Sequence, residues 1–562
     1  MVLLAALTGI AGGFGAIGFR FLIDSIQALA YGTGADLPSL AQAMPWYLKV
    51  WIPAAGGLVV GPLVYFLARE SQGQGVPAVM EAVAVKQGII RKRALLVKSV
   101  ASALTIGSGG SAGIQGPIVH IGSGLGSVIG QSLKVSGDRV RTLVGCGAAA
   151  GIAATFNAPI AGCMFALEII LGEFGMATFS PIVISSVAAT AVSRHFLGDS
   201  PVFSLPPYRL VSALELPIYA LLGFLCAAVA VLFISVLYRL EAVFSRVKCP
   251  QYLKPMVGGL GVGVISLAFP QVLGVGFAAM NHALAGGYSW VFMLLLAGFK
   301  ILATSLTIGS GGSGGVFFPA LFLGAMAGES FGIAVHALLP DGTASAGAYG
   351  MVAMGALVSG TTHGPISAIL ILFEMTGNYR IILPLMITCM VSSMAARQWL
   401  KHSIYTVNLA AKGVDLQAGK EVNLLNSLSV REAMNPAPEA VPETLTLGRF
   451  AEKLSRSKHN SFPVVNEKGA LTGVISYLDY QDVLFDENLR DLVIVKELAT
   501  PRVVTVSFDD TLYTALQKIA SKDFSILPVV DSSDPRRLVG TLSRRDIIGA
   551  YEKAVIKKSI LR

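Results

Sequence analysis

Apolar runs fill the first 400 residues and fall into helix-length blocks. They cover about 1–31, 46–69, 92–106, 117–132, 139–154, 158–171, 178–196 and 213–240. A second set covers about 254–269, 287–307, 317–338, 345–358, 364–376 and 380–400. Each is predicted to be helical. Several fall short of the roughly 20 residues that span a bilayer, while 213–240 is long enough to cross at a tilt. Past Lys401-His402-Ser403-Ile404-Tyr405 the pattern changes: charges become frequent and the apolar runs short. Short β-type runs there alternate with helical ones such as 446–457 and 511–521, which predicts a βαβ-type module.

Both regions repeat internally. The stretch from Thr105-Ile106-Gly107-Ser108-Gly109-Gly110-Ser111 to Pro117 has a near copy from Thr307-Ile308-Gly309-Ser310-Gly311-Gly312-Ser313 to Pro319. Lys98 and Lys300 each stand seven residues before the threonine, and Pro117 and Pro319 follow at the same place. Pro159 precedes Glu168 by nine residues, as Pro365 precedes Glu374. Together these spacings predict a duplicated membrane body, with repeats of about 1–196 and 213–400 inside residues 1–412. They leave open whether the repeats are parallel or inverted. In the tail, Phe462-Pro463-Val464-Val465 and Gly473 to Asp479 recur as Leu527-Pro528-Val529-Val530 and Gly540 to Asp546. The tail then divides into a linker at 413–428, a first module at 429–485 and a second at 486–562.

Composition narrows the class. The 562 residues are 54% hydrophobic and only 13% charged, with 62 glycines, where soluble domains carry about 25% charge. The chain is therefore expected to lie in a lipid bilayer. Its net charge of +9 is explained by Lys and Arg gathered in cytoplasmic loops. No basic patch interleaved with aromatics points to nucleic acid. The five cysteines are scattered, with no C-x-x-C and no His cluster, so neither a metal site nor a disulfide framework is expected. Residues 1–12 lack the basic start and cleavage site of a signal peptide and read as a first membrane helix.

Three glycine- and proline-bearing breaks interrupt the apolar body: Gly73-Gln74-Gly75-Val76-Pro77, Gly113-Ile114-Gln115-Gly116-Pro117 and Gly315-Val316-Phe317-Phe318-Pro319. In a membrane such irregular backbone is tolerated only where it faces protein or a water-filled cavity. Each break directly precedes a helical stretch, so it sets N–H groups and a positive helix end at the break. An anion at membrane depth needs such donors, and partial charges avoid the cost of burying full ones. Helix packing by small residues explains one such run but not three that each lead into a helix start. A phosphate loop is excluded because no Gly-Lys-Ser/Thr follows the glycines. No nucleophile–base pair or metal cluster marks an enzyme.

These breaks, followed by Tyr405, resemble the signature segments of the CLC chloride channels and chloride/proton antiporters. The tail resembles a pair of CBS domains. The resemblance implies an inverted-repeat helical membrane fold with broken helices, an α/β CBS pair on the cytoplasmic side, and a homodimer with one pore per subunit. It also implies a central chloride held by the amides of Val316 and Phe317 and by the Tyr405 hydroxyl. Amides around Ile114, Gln115, Gly116 and Phe318 would line an outer site, and those near Gly73 and Gln74 an inner one. A bacterial-type inner or plasma membrane is the expected location.

The departures from the family pattern carry the functional expectation. Gln115 stands where the family usually has a glutamate that acts as gate and proton carrier; an amide keeps the shape but does not ionise. Ile114 replaces the usual arginine, and Ile169 occupies the position of the antiporters' inner proton relay. Gln74 replaces the usual serine and leaves the preferred anion open. Glu168 and Glu374 are expected to make structural hydrogen bonds at helix ends, and His120 and His363 to serve packing or hydrogen bonding. These readings predict a passive, proton-uncoupled chloride channel modulated by its CBS pair. A secondary active anion exchanger and a nucleotide sensor with a closed pore are the alternatives. No cofactor is expected to be required. In the tail, Ser543 and Asp546 are candidates for an adenine nucleotide (ATP, ADP or AMP), or else for plain helix capping.

Overall fold

The computed structural model describes every residue except 69–71, 200–202, 204–210, 213–214, 341, 413–424, 427, 458, 485, 502, 523 and 561–562. Most of the expected linker at 413–428 lies outside the described residues. The chain forms two compact units, Met1–Lys412 and Gly413–Arg562.

The first unit is entirely helical among the described residues, apart from isolated bridges at the glycine breaks. Among the described residues seven helices are long and apolar enough to cross a membrane, among them Val2–Tyr31, Glu215–Arg246 and Phe317–Leu338. Glu215–Arg246 has 32 residues, about 48 Å of helix, and so spans a bilayer only when tilted. Shorter apolar helices, Pro159–Leu171, Lys254–Ala268 and Pro365–Thr376, stop inside the unit. Three short helices that hydropathy alone did not delimit also appear: Leu37–Ala43, Val76–Ala84 and Phe277–Leu284. Each has only seven to nine residues, too few for a clear period.

Small residues let neighbouring helices touch. A Cβ built on Gly122 would stand 2.0 Å from the Gly147 carbonyl oxygen, and one on Gly126 2.1 Å from that of Leu143. Helix Gln115–Ser132 thereby lies backbone to backbone against Gly137–Phe156. For these glycines helix packing is the whole explanation.

The two halves hold each other reciprocally. The Glu168 carboxylate accepts from the amides of Ile366 (3.1 Å) and Ser367 (2.7 Å), at the start of helix Pro365–Thr376. The Glu374 carboxylate accepts from Ile160 (3.1 Å) and Ala161 (2.7 Å), at the start of helix Pro159–Phe165. Each acid caps the other repeat's helix, where the dipole favours negative charge. Such exchange of equivalent contacts is what a two-fold relation between the halves requires. The glutamates thus make structural hydrogen bonds at helix ends, as expected for them.

In the second unit, β1 (Val441–Pro442) pairs parallel with β2 (Ser461–Val465), which pairs antiparallel with β3 (Leu471–Ser476). The strands β4 (Val506–Ser507), β5 (Ile526–Val530) and β6 (Leu538–Ser543) repeat that sheet. Register places Phe462 opposite Ile475 and Leu527 opposite Leu542, and both sheets shift register at the same Val-Val step. The two modules exchange their leading segments. Leu425 and Val430 are buried in the core formed by Val506, Leu512, Leu527 and Leu542, while Val495 is buried with Val441, Phe450 and Phe462. The amides of Val430 and Val495 donate to Asp510 (2.8 Å) and Leu445 (2.9 Å) respectively. The sequence repeats at 429 and 486 therefore do not coincide with the packing units, because each core is completed by the segment that precedes the other module.

Candidate functional site

The site is built where the three breaks meet. Gly113 and Gly315 bond each other in both directions, amide to carbonyl, at 2.7 and 2.8 Å. The Gly73 amide donates to the Gly312 carbonyl at 3.2 Å, and the Gly314 amide to the Gly73 carbonyl at 3.3 Å. The repeated Ser and Thr positions cross-link the glycine runs symmetrically. Thr307 Oγ1 accepts from the Ser111 amide (3.1 Å) and Thr105 Oγ1 from the Ser313 amide (3.3 Å). The Ser111 hydroxyl meets that of Thr304 at 3.1 Å, and the Ser313 hydroxyl meets that of Ser102 at 2.8 Å. Gly109 (φ 89°) and Gly311 (φ 105°) make the left-handed turn that returns the chain after helices Lys92–Gly107 and Trp290–Gly309.

From this knot three helices start: Val76–Ala84, Gln115–Ser132 and Phe317–Leu338. Their N-cap residues Gly75, Ile114 and Val316 provide no side-chain cap. Pro117 and Pro319 have no N–H to satisfy. Among the described residues nothing accepts from the amides of Gln115, Gly116, Phe317 and Phe318. The Gln115 side chain is 0% exposed, and both of its amide atoms are without a partner. An unmet buried polar group costs about 1–3 kcal/mol. Four such amides and the Gln115 Nε2 lie at two helix starts as donors without an acceptor, the kind of group a desolvated anion satisfies.

The surroundings fit that use. Phe317 and Phe318 pack with Phe156 (centroids 5.8 and 5.4 Å), and Phe318 with Phe277 (4.8 Å), giving an apolar shell. A cavity of about 550 Å³ reaches Ile114 and Phe318. Tyr405 is 2% exposed, in the turn before helix Val407–Ala411. Ile169 is buried, 2.8 Å from where a Cβ on Gly364 would lie. Gln74 lies in the first break, its Oε1 buried without a partner. His120 is buried and its Nδ1 has no partner. His363 closes helix Ala346–Thr362 in a left-handed turn, and its carbonyl accepts from Arg397.

Sequence reading gave Lys98 and Lys300 only as markers of the repeat. Both are buried, at 1% and 0% exposure. Lys98 Nζ donates to the Gly73 carbonyl at 2.5 Å, and Lys300 Nζ to the carbonyls of Val272 and Gly274 at 2.9 Å. Lys98 thereby ties the first break to helix Lys92–Gly107 through the Gly73 carbonyl. The signal was present in the sequence as a lone cation inside an apolar helix. In the second unit, Ser543 and Asp546 form a helix cap: the Ser543 amide (2.8 Å) and hydroxyl (2.6 Å) donate to Asp546 Oδ2. Ser476 and Asp479 do the same at 2.7 Å each.

Comparison with known proteins gives one consistent picture. The family model described as "Voltage gated chloride channel" matches residues 56–397, and that of the CBS domain matches 430–486 and 495–553. The chain is 37% identical over 414 residues to a putative chloride channel protein ClcB-like of Ralstonia nicotianae, covering 73% of this chain and 96% of the relative. It is 31% identical to an H(+)/Cl(-) exchange transporter ClcA of Citrobacter koseri, covering 73% and 88%. The fold is similar to that of a slow cyanobacterial Cl-/H+ antiporter solved by X-ray crystallography (TM-score 0.67, 27% identity, 73% and 97% covered).

Proposed function

Because the chain belongs to the voltage-gated chloride channel family and carries a CBS pair behind its membrane body, we propose that it is a passive, proton-uncoupled chloride channel. One observation carries this reading. Gln115, whose amide cannot ionise, sits wholly buried and unpartnered at the start of helix Gln115–Ser132, beside unbonded N–H groups. Chloride would be held at the centre by the amides of Val316 and Phe317 and by the Tyr405 hydroxyl. It would be held outside by those of Ile114, Gln115, Gly116 and Phe318, and inside near Gly73 and Gln74. With Ile169 apolar as well, no carboxylate stands at either position where the family's antiporters carry protons. The protein would act as a homodimer in a bacterial-type inner or plasma membrane, with its CBS pair in the cytoplasm.

The test is reconstitution in liposomes under a chloride gradient. Chloride efflux is expected to respond to voltage and to leave external pH unchanged. Chloride-driven proton uptake would instead support the exchanger reading, which the exchange transporter of Citrobacter koseri favours by its similarity.

The CBS pair would bind an adenine nucleotide. A surface pocket lined by Glu432, Arg545, Asp546, Glu552 and Lys553 offers the Arg545 guanidinium for phosphate and the Asp546 carboxylate for ribose hydroxyls. Asp546→Ala in the full chain is expected to weaken ATP or AMP binding at least about tenfold and to cost about 1 kcal/mol as a lost cap. Asp479→Ala should cost the same stability and leave affinity unchanged. Equal affinity in all three proteins would reduce Asp546 to a cap.

A further inference from the structure

Cations gather where three helices of the membrane unit come together. Helix Lys92–Gly107 runs in toward the glycine knot, and helix Gln115–Ser132 runs back out from it. The Ile90 amide donates to Ser127 Oγ (2.9 Å), the Ser127 hydroxyl to the Gly88 carbonyl (2.6 Å) and Gln131 Nε2 to the Ile90 carbonyl (3.1 Å). The loop before the first helix is thereby tied to the last turns of the second. A Cβ on Gly88 would stand 3.0 Å from the Arg141 amide nitrogen, so helix Gly137–Phe156 starts against the same loop.

Residues 87–93 and 131–141, which make this corner, hold Arg91, Lys92, Arg93, Lys134, Arg139 and Arg141 against a single acid, Asp138. Lys92, Arg93, Lys134 and Arg139 are exposed, and among the described residues no ion pair holds any of the four. Arg141 is 9% exposed, its Nε has no partner, and its ion pair with Asp138 is 3.9 Å long. The fold does not account for these charges. Lys92 and Arg93 stand in the first turn of their helix, where the dipole disfavours cations.

Lipid-facing side chains continue directly from the patch. Leu96 and Val100 are 68% and 41% exposed and follow Lys92 by four and eight residues, on the same helix face. Leu133, beside Lys134, and Ile89 are exposed as well. Large apolar side chains left bare on a membrane helix meet hydrocarbon. Lys92 lies one turn, about 6 Å, beyond Leu96, which is the step from acyl chain to headgroup. We infer that this corner binds an anionic phospholipid, its phosphate among Lys92, Arg93, Lys134 and Arg139 and an acyl chain along Leu96 and Val100. A free phosphate shares the charge but has nothing to lay on the apolar stripe.

The experiment measures binding of fluorescent dioleoylphosphatidylglycerol to the full chain in detergent micelles, with dioleoylphosphatidylcholine as the lipid without net charge. Wild type is expected to prefer phosphatidylglycerol at least about tenfold, and Lys92→Gln/Arg93→Gln to weaken its binding about tenfold, the effect of two cations at a lipid surface after screening by salt. Arg456→Gln/Lys468→Gln removes the same charge from the second unit and should bind like wild type. Excess inorganic phosphate should not displace the lipid. Equal affinity for the two lipids, no loss in Lys92→Gln/Arg93→Gln, or an equal loss in the control pair overturns the inference. Displacement by phosphate overturns it too, in favour of a free-anion site. If Lys92→Gln/Arg93→Gln does not fold, Lys134→Gln/Arg139→Gln takes its place under the same criteria. None of these outcomes depends on flux, so the lipid site and the pore reading stand or fall separately.

Discussion

Gln115→Glu is expected to make anion flux pH-dependent by placing an ionisable gate at residue 115. Glutamate is nearly isosteric with glutamine, so the protonated variant should conduct like wild type. Once ionised, the carboxylate competes for the same donors as the anion. The amides of Gln115, Gly116, Phe317 and Phe318 have no other acceptor among the described residues. A carboxylate tethered at residue 115 meets them at far higher effective concentration than a free chloride does. The sign follows directly: protons open and hydroxide closes. Chloride flux through Gln115→Glu should fall at least about tenfold between about pH 4.5 and about pH 8, with ordinary carboxyl groups titrating near 4.3. Wild-type flux should stay flat over that range. A flat profile in the variant would mean that residue 115 does not border the ion.

The same substitution separates the two transport readings. A gate alone changes the rate without coupling. On the proposed reading Ile169 leaves no inner proton relay, so Gln115→Glu should admit no chloride-driven proton uptake. Ile169→Glu added to it would supply that group.

The helices were largely legible in the sequence because long apolar runs leave few choices in a bilayer. The run at 317–338 became the helix Phe317–Leu338 without adjustment, and 139–154 grew only to Gly137–Phe156. The breaks were legible too, since glycine and proline at fixed distances from Lys98 and Lys300 repeat. What pairwise spacing could not show was which groups cross between repeats. Glu168 reaches Ile366 and Ser367, about 200 positions away, and no local pattern encodes that partner. Nor did the repeat pattern of the tail reveal that Val430 and Val495 complete each other's modules, because a swapped segment looks the same in sequence as an unswapped one. The bond from the Tyr238 hydroxyl to the Ile404 carbonyl (2.6 Å) was invisible for a simpler reason: in a 32-residue apolar helix an aromatic residue reads as lipid-facing or core.

Gly315→Ala is expected to cut anion flux at least about tenfold, and the reason is contact rather than backbone conformation. Gly315 does not have a positive φ, so alanine fits its dihedral angles. A Cβ there would lie 2.7 Å from the Gly116 amide nitrogen and 3.0 Å from the Gly113 carbonyl oxygen. Both neighbours are backbone and cannot rotate away. Gly116 in turn stands against Gly315 and Gly75, since its own Cβ would be 3.0 Å from the Gly315 Cα and 3.4 Å from the Gly75 nitrogen. One methyl group therefore pushes on all three helix starts at once. It strains the pair of bonds between Gly113 and Gly315 and moves the Gly116 N–H away from the proposed anion position. Overpacking of this kind costs about 1–3 kcal/mol, which the large membrane unit should survive. Donors displaced by a few tenths of an ångström replace lost hydration poorly, so flux should drop at least about tenfold while the protein still purifies as a folded species. Gly298→Ala is the matched control. It lies in helix Trp290–Gly309 with nothing within 4 Å of its Cβ position, and alanine should raise helix stability there by up to about 1 kcal/mol. Its flux should equal wild type. Full conduction by Gly315→Ala would show that the three helix ends do not need this close approach to hold the anion.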